Sequence, residues 1–250
     1  MKKSLVTAFI IIAFIAIAVF SVFSVFVIKD VTPTFTVSKN CSSQTEDIKN
    51  KLNSYKGQSL LFLDLNEVKA SISENPYLEV VLLEKSYPNV LKAEVKERIE
   101  CYKVVYGSDY FVIDGTGFVL AKNFSFTETL PTLVVTLEST PKVNEYLSVS
   151  QTELELYSVA LTTVYNESYT NNVEEIRIVK ELEKNDLVLS TSTGVIIEIW
   201  QANQRGSDKL TLGFNTYDEM LTDRDKYTHR VCVFEKDGGT LSVTHTAHGE

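Results

Sequence analysis

Gly57-Gln58-Ser59-Leu60-Leu61-Phe62-Leu63-Asp64-Leu65 is the joint on which the fold turns. Upstream of it, Ser43 and Glu46 have capping-box spacing, and Ile48, Leu52 and Tyr55 then fall on one helical face. Gly57 takes positive φ without a steric cost, so it is placed to end that helix. Leu60 to Leu63 form a short apolar link. Asp64 and Glu67 repeat the capping arrangement, and Leu65, Val68 and Ile72 supply a second apolar stripe before Pro76 bars further helix. Each helix is too short to be stable alone.

Outward from these helices the period changes from helical to alternating. Thr34 to Lys39 reads as a strand, as do Leu78, Val80 and Leu82, and then Leu91, Ala93 and Val95 with Lys92, Glu94 and Lys96 between them. Tyr87-Pro88 separates the last two as a rigid loop. The order strand–helix–helix–strand–strand predicts an α+β unit over residues 29–102, with both helices on one face of a three-stranded sheet.

Beyond Tyr102 the pattern is mostly strands. Tyr110 to Ile113 and Phe118 to Leu120 flank Asp114-Gly115-Thr116-Gly117, a tight turn in which Asp114 caps backbone amides and Gly117 supplies positive φ. Leu133 to Thr136 follows. Ser150 and Glu153 cap a third helix over 151–166 that buries Leu154, Tyr157, Leu161 and Val164. Further strands are expected at Ile176 to Val179, Leu187 to Thr191, Val195 to Trp200, Lys209 to Leu212, Val231 to Glu235 and Thr240 to Thr244, with turns at Lys184–Asp186 and Ser192–Gly194. A short helix is expected over Tyr217 to Asp225. Residues 103–244 thus read as a mostly antiparallel β domain with one or two helices, and 245–250 as a frayed tail.

At the other end, Leu5 to Ile28 contains 21 apolar residues in 24 and no charge. A helix of that length is about 36 Å long, enough to cross a hydrocarbon core of about 30 Å. It exceeds the apolar stretch of a cleaved signal peptide. Residues 5–28 are therefore expected to be a retained transmembrane helix. With Lys2 and Lys3 before it, residues 1–4 form a cytoplasmic tail and everything past 29 lies outside the membrane.

Charge narrows the function. Residues 29–105 carry 11 basic and 11 acidic side chains, whereas residues 106–250 carry 11 basic and 22 acidic. No basic cluster exists, so nucleic acid is not expected as a partner. Cys41, Cys101 and Cys232 cannot all pair within one chain and match no metal spacing; free thiols are the default, and a Cys41–Cys101 pair stays open. The three histidines, His229, His245 and His248, include one His-x-x-His without a third ligand close by. No nucleophile-elbow, metalloprotease or phosphate-loop motif occurs. No catalytic residue, metal or cofactor is expected.

An unpaired sheet edge is the more promising feature, because a partner can add a strand to it. The last two strands are the candidates: Val231, Val233, Phe234, Thr240, Leu241 and Val243 are expected to bind a partner, although a terminal strand that closes the core fits the pattern equally well. Gly57, Pro76, Pro88, Arg98, Asp114 and Gly117 are expected to hold the structure. Arg98 is expected to pair with Glu94 or Glu100, or to remain solvated.

The segment Gly57 to Leu65, with Asn75-Pro76-Tyr77-Leu78-Glu79, Tyr87-Pro88-Asn89-Val90-Leu91, Val95-Lys96-Glu97-Arg98 and Tyr110 to Gly117, resembles the FtsQ/DivIB family of bacterial cell-division proteins. Tyr87 departs from that family's usual tryptophan, and past about residue 120 the likeness is looser. The resemblance implies a POTRA domain over 29–102, a cell-membrane protein with one span, and no enzymatic activity. It also implies distal strands that receive division partners of the FtsB/DivIC and FtsL type, besides the lipid bilayer contacted through one helix. The function implied is to localise or activate septal wall synthesis. A POTRA-bearing scaffold or transport accessory outside division, an extracytoplasmic wall-active enzyme and a surface adhesin are the alternatives.

Overall fold

The computed structural model describes residues 2–36, 42–123, 130–166, 172–181, 184–222, 224 and 229–247. The chain divides into two units, Met1–Arg98 and Ile99–Glu250.

The first unit runs α1 (Lys2–Val25), β1 (Asp30–Thr36), α2 (Ser42–Asn53), α3 (Leu65–Ile72), β2 (Leu78–Ser86) and β3 (Val90–Glu97). Its sheet has the order β1-β3-β2, with β1 parallel and β2 antiparallel to the central β3. A parallel neighbour needs a long crossover, and α2 and α3 are that crossover. Ile48 and Leu52 from α2 and Val68 and Ile72 from α3 share one buried core with Val31, Leu91, Ala93 and Val95, so both helices cover the same face. The Asp64 carboxylate caps α3 by accepting from the Asn66 amide at 2.8 Å. Gly57 has φ +87° and donates its amide to the Ile28 carbonyl at 3.0 Å. α2 starts at Ser42, so Ser43 lies inside the helix; of the strand expected over 34–39, residues 37–39 lie outside the described residues.

The expected membrane span is corrected here. Among the described residues no helix is long and apolar enough to cross a membrane. The apolar run from Leu5 to Ile28 is not one uninterrupted helix: α1 stops at Val25, and the end of the run belongs to the folded unit. Val27 bridges Ser59, the Leu60 amide bonds the Phe26 carbonyl at 2.7 Å, and Ile28 is a core residue. Phe23 packs against Phe62 at 5.7 Å and Phe26 edge-on against Tyr87 at 5.9 Å. The single-pass topology, the bilayer as partner and the anchored cell-membrane localisation all depended on that span, and they fall with it.

The second unit runs β4 (Tyr102–Tyr106), β5 (Asp109–Ile113), β6 (Val119–Lys122), β7 (Thr132–Val134), α4 (Gln151–Asn166), β8 (Val173–Glu181), β9 (Lys184–Thr191), β10 (Ile196–Ile199), α5 (Gly206–Asn215), β11 (His229–Lys236) and β12 (Thr240–Ala247). A π-helical turn, Thr216–Met220, extends α5. The strands form one sheet of order β12-β11-β10-β9-β8-β7-β4-β5-β6. Five of its eight pairings are antiparallel; β10–β11, β7–β8 and β4–β7 are parallel. α4 and α5 bury Tyr157, Leu161, Leu210 and Phe214 into one core with Tyr102, Phe111, Ile176, Leu189, Ile197 and Val233. Both helices therefore cover the same sheet face.

Three local readings differ from the structure. Lys209 to Leu212, expected as a strand, lies in α5. Leu210 and Phe214 recur at helical spacing, and Gly213 lets the helix approach the sheet until a Cβ there would meet Ile197 Cγ2 at 2.9 Å. Tyr217 to Asp225, expected as a short helix, begins as the π-helical turn, and residues 223 and 225 lie outside the described residues. No turn lies at Lys184–Asp186, because those residues already belong to β9.

Candidate interface at the distal sheet edge

Four strands end the two sheets, and three of them carry a device against further pairing. β1 contains Pro33, which has no amide hydrogen to offer. β2 has a bulge between Val80 and Leu82 and carries Glu84 and Lys85. β6 is only four residues long, and the segment after β7 covers it. Val119 exchanges main-chain bonds with Asn144 and Glu145, both at 2.9 Å, Phe118 bridges Tyr146, and the Leu147 amide bonds the Gly117 carbonyl. β12 differs from all three. Its eight residues, TLSVTHTA, include no proline, carboxylate, lysine or arginine. Its ladder to β11 runs without a register shift, and among the described residues no other strand pairs with its far side.

The neighbouring strand fixes which faces β12 presents. β11 is paired on both sides, parallel to β10 and antiparallel to β12. Val231 and Val233 are 0% exposed and belong to the core that α5 covers. Val243 lies opposite Val233 and is partly buried against that core, and Leu241, opposite Glu235, is half-buried. These four are on the helix side. Thr240 is exposed at the start of β12. On the opposite face stand Cys232, Phe234, Ser242 and Thr244, with Ser242 opposite Phe234 and Thr244 opposite Cys232.

That open face has a polar and an aromatic part. Arg230 Nη1 lies 3.3 Å from Glu198 Oε1, and the Cys232 thiol donates to Glu198 Oε2 at 3.3 Å. Burial, reinforced by the Glu198 carboxylate, pushes the Cys232 thiol up to about 12, so it stays a neutral donor. Trp200 stacks at a tilt on Phe234 with 5.4 Å between ring centroids and remains 44% exposed. Trp200, Glu198 and Arg230 were not anticipated as parts of this face. The alternation from Ile196 through Glu198 to Trp200 was the signal that could have found them.

Of the six residues expected at the contact, Val231 and Val233 offer no side chain to a partner, while Phe234, Thr240, Leu241 and Val243 lie at or beside the open edge. The six structural residues are dispersed. Asp114 and Gly117 share one turn, where the Asp114 carboxylate accepts from Thr116 N at 2.8 Å, Thr116 Oγ1 at 2.7 Å and Phe118 N at 2.9 Å. Gly117 has φ +83°. Pro76 lies between α3 and β2. Pro88 follows a cis peptide between β2 and β3, and Tyr87 is 57% exposed. Arg98 is not solvated: its side chain is 9% exposed and its Nη2 lies 3.5 Å from Glu79 Oε1. β2 and β3 are antiparallel neighbours, which brings Glu79 beside the end of β3 although it is distant in sequence.

The other candidate chemistry stays dispersed. The His229 and His245 rings stack at 6.0 Å, His248 lies outside the described residues, and no group of three potential metal ligands occurs among the described residues. Cys101 and Cys232 are free, and Cys41 lies outside the described residues.

Residues 33–98 match the FtsQ-type POTRA domain family. The chain is 32% identical over 103 residues to the cell division protein DivIB of Clostridium acetobutylicum, covering 40% of this chain and 41% of that protein. It is 35% identical over 97 residues to the cell division protein FtsQ of Rhizobium meliloti, covering 38% of this chain and 30% of that protein. Among solved structures, the major extracytoplasmic domain of DivIB from Geobacillus stearothermophilus aligns over 50% of this chain and 98% of that one, with a TM-score of 0.32 and 12% identity. The chain spans about two fifths or less of the length of these curated relatives.

Proposed function

We propose that the chain is a member of the FtsQ/DivIB cell-division family and that it assembles partner proteins of the division machinery by accepting a strand at β12. On this reading the chain acts as an assembly factor without enzymatic activity of its own. The observation that carries the reading is the contrast among the four sheet edges: three are protected, and β12 is long, regular and uncharged. Main-chain bonds along β12 would give affinity, and Phe234, Trp200, Leu241 and Val243 would supply side-chain selectivity. The net charge of −11 over residues 106–250 favours a basic partner segment.

The test is recovery of identified cell-division proteins on the tagged full chain, compared with Thr244→Lys. Thr244 is exposed, and a lysine on an edge is the device sheets use against pairing. Recovery should fall severalfold in the variant while its thermal unfolding is unchanged, and should weaken with added salt. Recovery of no division protein by the wild type, or equal recovery by both chains, would overturn the reading.

A further inference from the structure

The backbone that carries Trp200 is bonded at every polar group across two residues. The Trp200 amide donates to the Val233 carbonyl at 3.0 Å, and the Gln201 amide to Asp186 Oδ1 at 2.7 Å. Lys209 of α5 supplies the rest: its ammonium donates to the Trp200 carbonyl at 2.9 Å and to the Gln201 carbonyl at 3.1 Å. Lys209 is 0% exposed. Gln201 and Arg205 have φ of +51° and +53°, a left-handed backbone that residues other than glycine rarely adopt. A buried ammonium and left-handed backbone both cost stability, and such features gather where a site must be held in one shape.

We infer that Lys209 is a positioning residue for partner binding: with Asp186 it fixes the backbone of Trp200, so that the indole stands on Phe234 before a partner arrives. This rests on the reading above that β12 accepts the partner strand, and it names the group that prepares the aromatic part of that surface.

The two sides of the sheet separate the roles. Trp200 lies just past β10, and its ring stands on the open face, 44% exposed, with its centroid 5.4 Å from that of Phe234. α5 covers the other face, so the buried Lys209 side chain offers a partner nothing to touch. Its bonds go only to main-chain carbonyls. Methionine at 209 would roughly match its volume but has no donor, and would release both carbonyls. Phe234 faces Ser242 of β12, whose short side chain leaves the aromatic pair open toward the free edge. With the backbone held, Trp200 has only its two side-chain torsions to order on binding, which lowers the entropic cost of contact.

Trp200 is the single tryptophan of the chain, so its emission and its quenching by acrylamide report this position directly. The experiment compares the tagged full chain with Lys209→Met, Asp186→Ala, Trp200→Ala and the double variant Lys209→Met/Trp200→Ala. Each is scored for recovery of the division proteins that the wild type retains, and for thermal unfolding. Lys209→Met and Asp186→Ala should each make Trp200 more quenchable and lower recovery severalfold, while still unfolding well above the assay temperature. Trp200→Ala should lower recovery at least as far. In that background Lys209→Met should cost nothing further, because one residue acts through the other.

Unchanged quenching, unchanged recovery, or an equal further loss in the Trp200→Ala background would overturn the inference. If Lys209→Met fails to fold, Asp186→Ala decides, since Asp186 lies on β9 and its loss frees the Gln201 amide without touching α5. Recovery that Thr244→Lys abolishes but Lys209→Met and Asp186→Ala preserve would sink this inference and leave the proposed function standing. A wild type that recovers no division protein would overturn both.

Discussion

Gly213 of α5 and Ile197 of β10 meet so closely that a Cβ on residue 213 would stand 2.9 Å from Ile197 Cγ2 and 3.4 Å from Val233 Cγ2. Both neighbours are fully buried and cannot retreat. Alanine at 213 would gain about 1 kcal/mol in helix propensity, but overpacking costs about 1–3 kcal/mol. Gly213→Ala should therefore be destabilising by about 1 kcal/mol. Gly213→Val, which adds branching, should lose more than about 2 kcal/mol, read from urea unfolding of the full chain. Equal midpoints for all three chains would show that α5 can lift from the sheet.

Tyr102 is 0% exposed, and its hydroxyl donates to the Leu161 carbonyl at 2.6 Å, tying β4 to α4. Tyr102→Phe should cost about 1 kcal/mol of unfolding free energy. Burial, with a smaller contribution from Cys101, raises the phenol above its ordinary value. Alkaline titration of the folded wild type should show the same tyrosinate absorbance as the variant up to the pH at which the chain unfolds.

Asp114 is 5% exposed and accepts three bonds within its own turn. Asp114→Ala leaves two amides and a hydroxyl without that acceptor and should lose about 2 kcal/mol. Asp114→Asn keeps an acceptor oxygen and should recover part of the loss. Hydrogen exchange at the Thr116 and Phe118 amides would report it locally, faster in the alanine variant than in the asparagine one.

Lys209 is 0% exposed and donates to the carbonyls of Trp200 at 2.9 Å and Gln201 at 3.1 Å. Burial lowers its pKa, with Glu235 opposing and Arg205 adding to the shift. In the window between the lowered value and the ordinary lysine value of about 10.5, the unfolded chain binds more protons than the folded one, so stability rises with pH there. Compared with Lys209→Met, the wild type should gain in relative stability as pH climbs through that alkaline window. A pH-independent difference between the two chains would refute the effect.

Burial pushes both the Cys101 and Cys232 thiols up to about 12, with Asp114 and Glu198 respectively adding to it. Thiolate is the reactive form. Iodoacetamide at pH 8 should label these two positions in the native chain about tenfold or more slowly than in urea, as mass spectrometry of the peptides would show.

Local chemistry is where reading the residues succeeded. The Asp64 cap, the alternation of β3, the Asp114–Gly117 turn and the Ser150-capped helix each rest on contacts between residues a few positions apart, and those contacts are written into spacing alone. The first unit is built almost wholly from such signals. The errors fall where a distant strand decides. β4 went unread because Tyr102 and Val104 become buried only once β7 and β5 flank them. Lys209 to Leu212 alternates like a strand, but β10 and β11 supply a surface that rewards Leu210, Gly213 and Phe214 on one helical face. Arg98 found Glu79 across a sheet.

By itself the sequence determined the order of the first unit's elements, the resemblance carried by its motifs, and the acidity of the distal half. Tertiary structure decided what ends the apolar N-terminal run, since Ile28 leaves it for the core of the folded unit. It also decided which sheet edge stays open. A strand's residues show that it can pair, but whether both of its sides are already paired depends on neighbours brought from elsewhere in the chain. β11 and β12 read alike in the sequence, and only the sheet order makes one of them core and the other an edge.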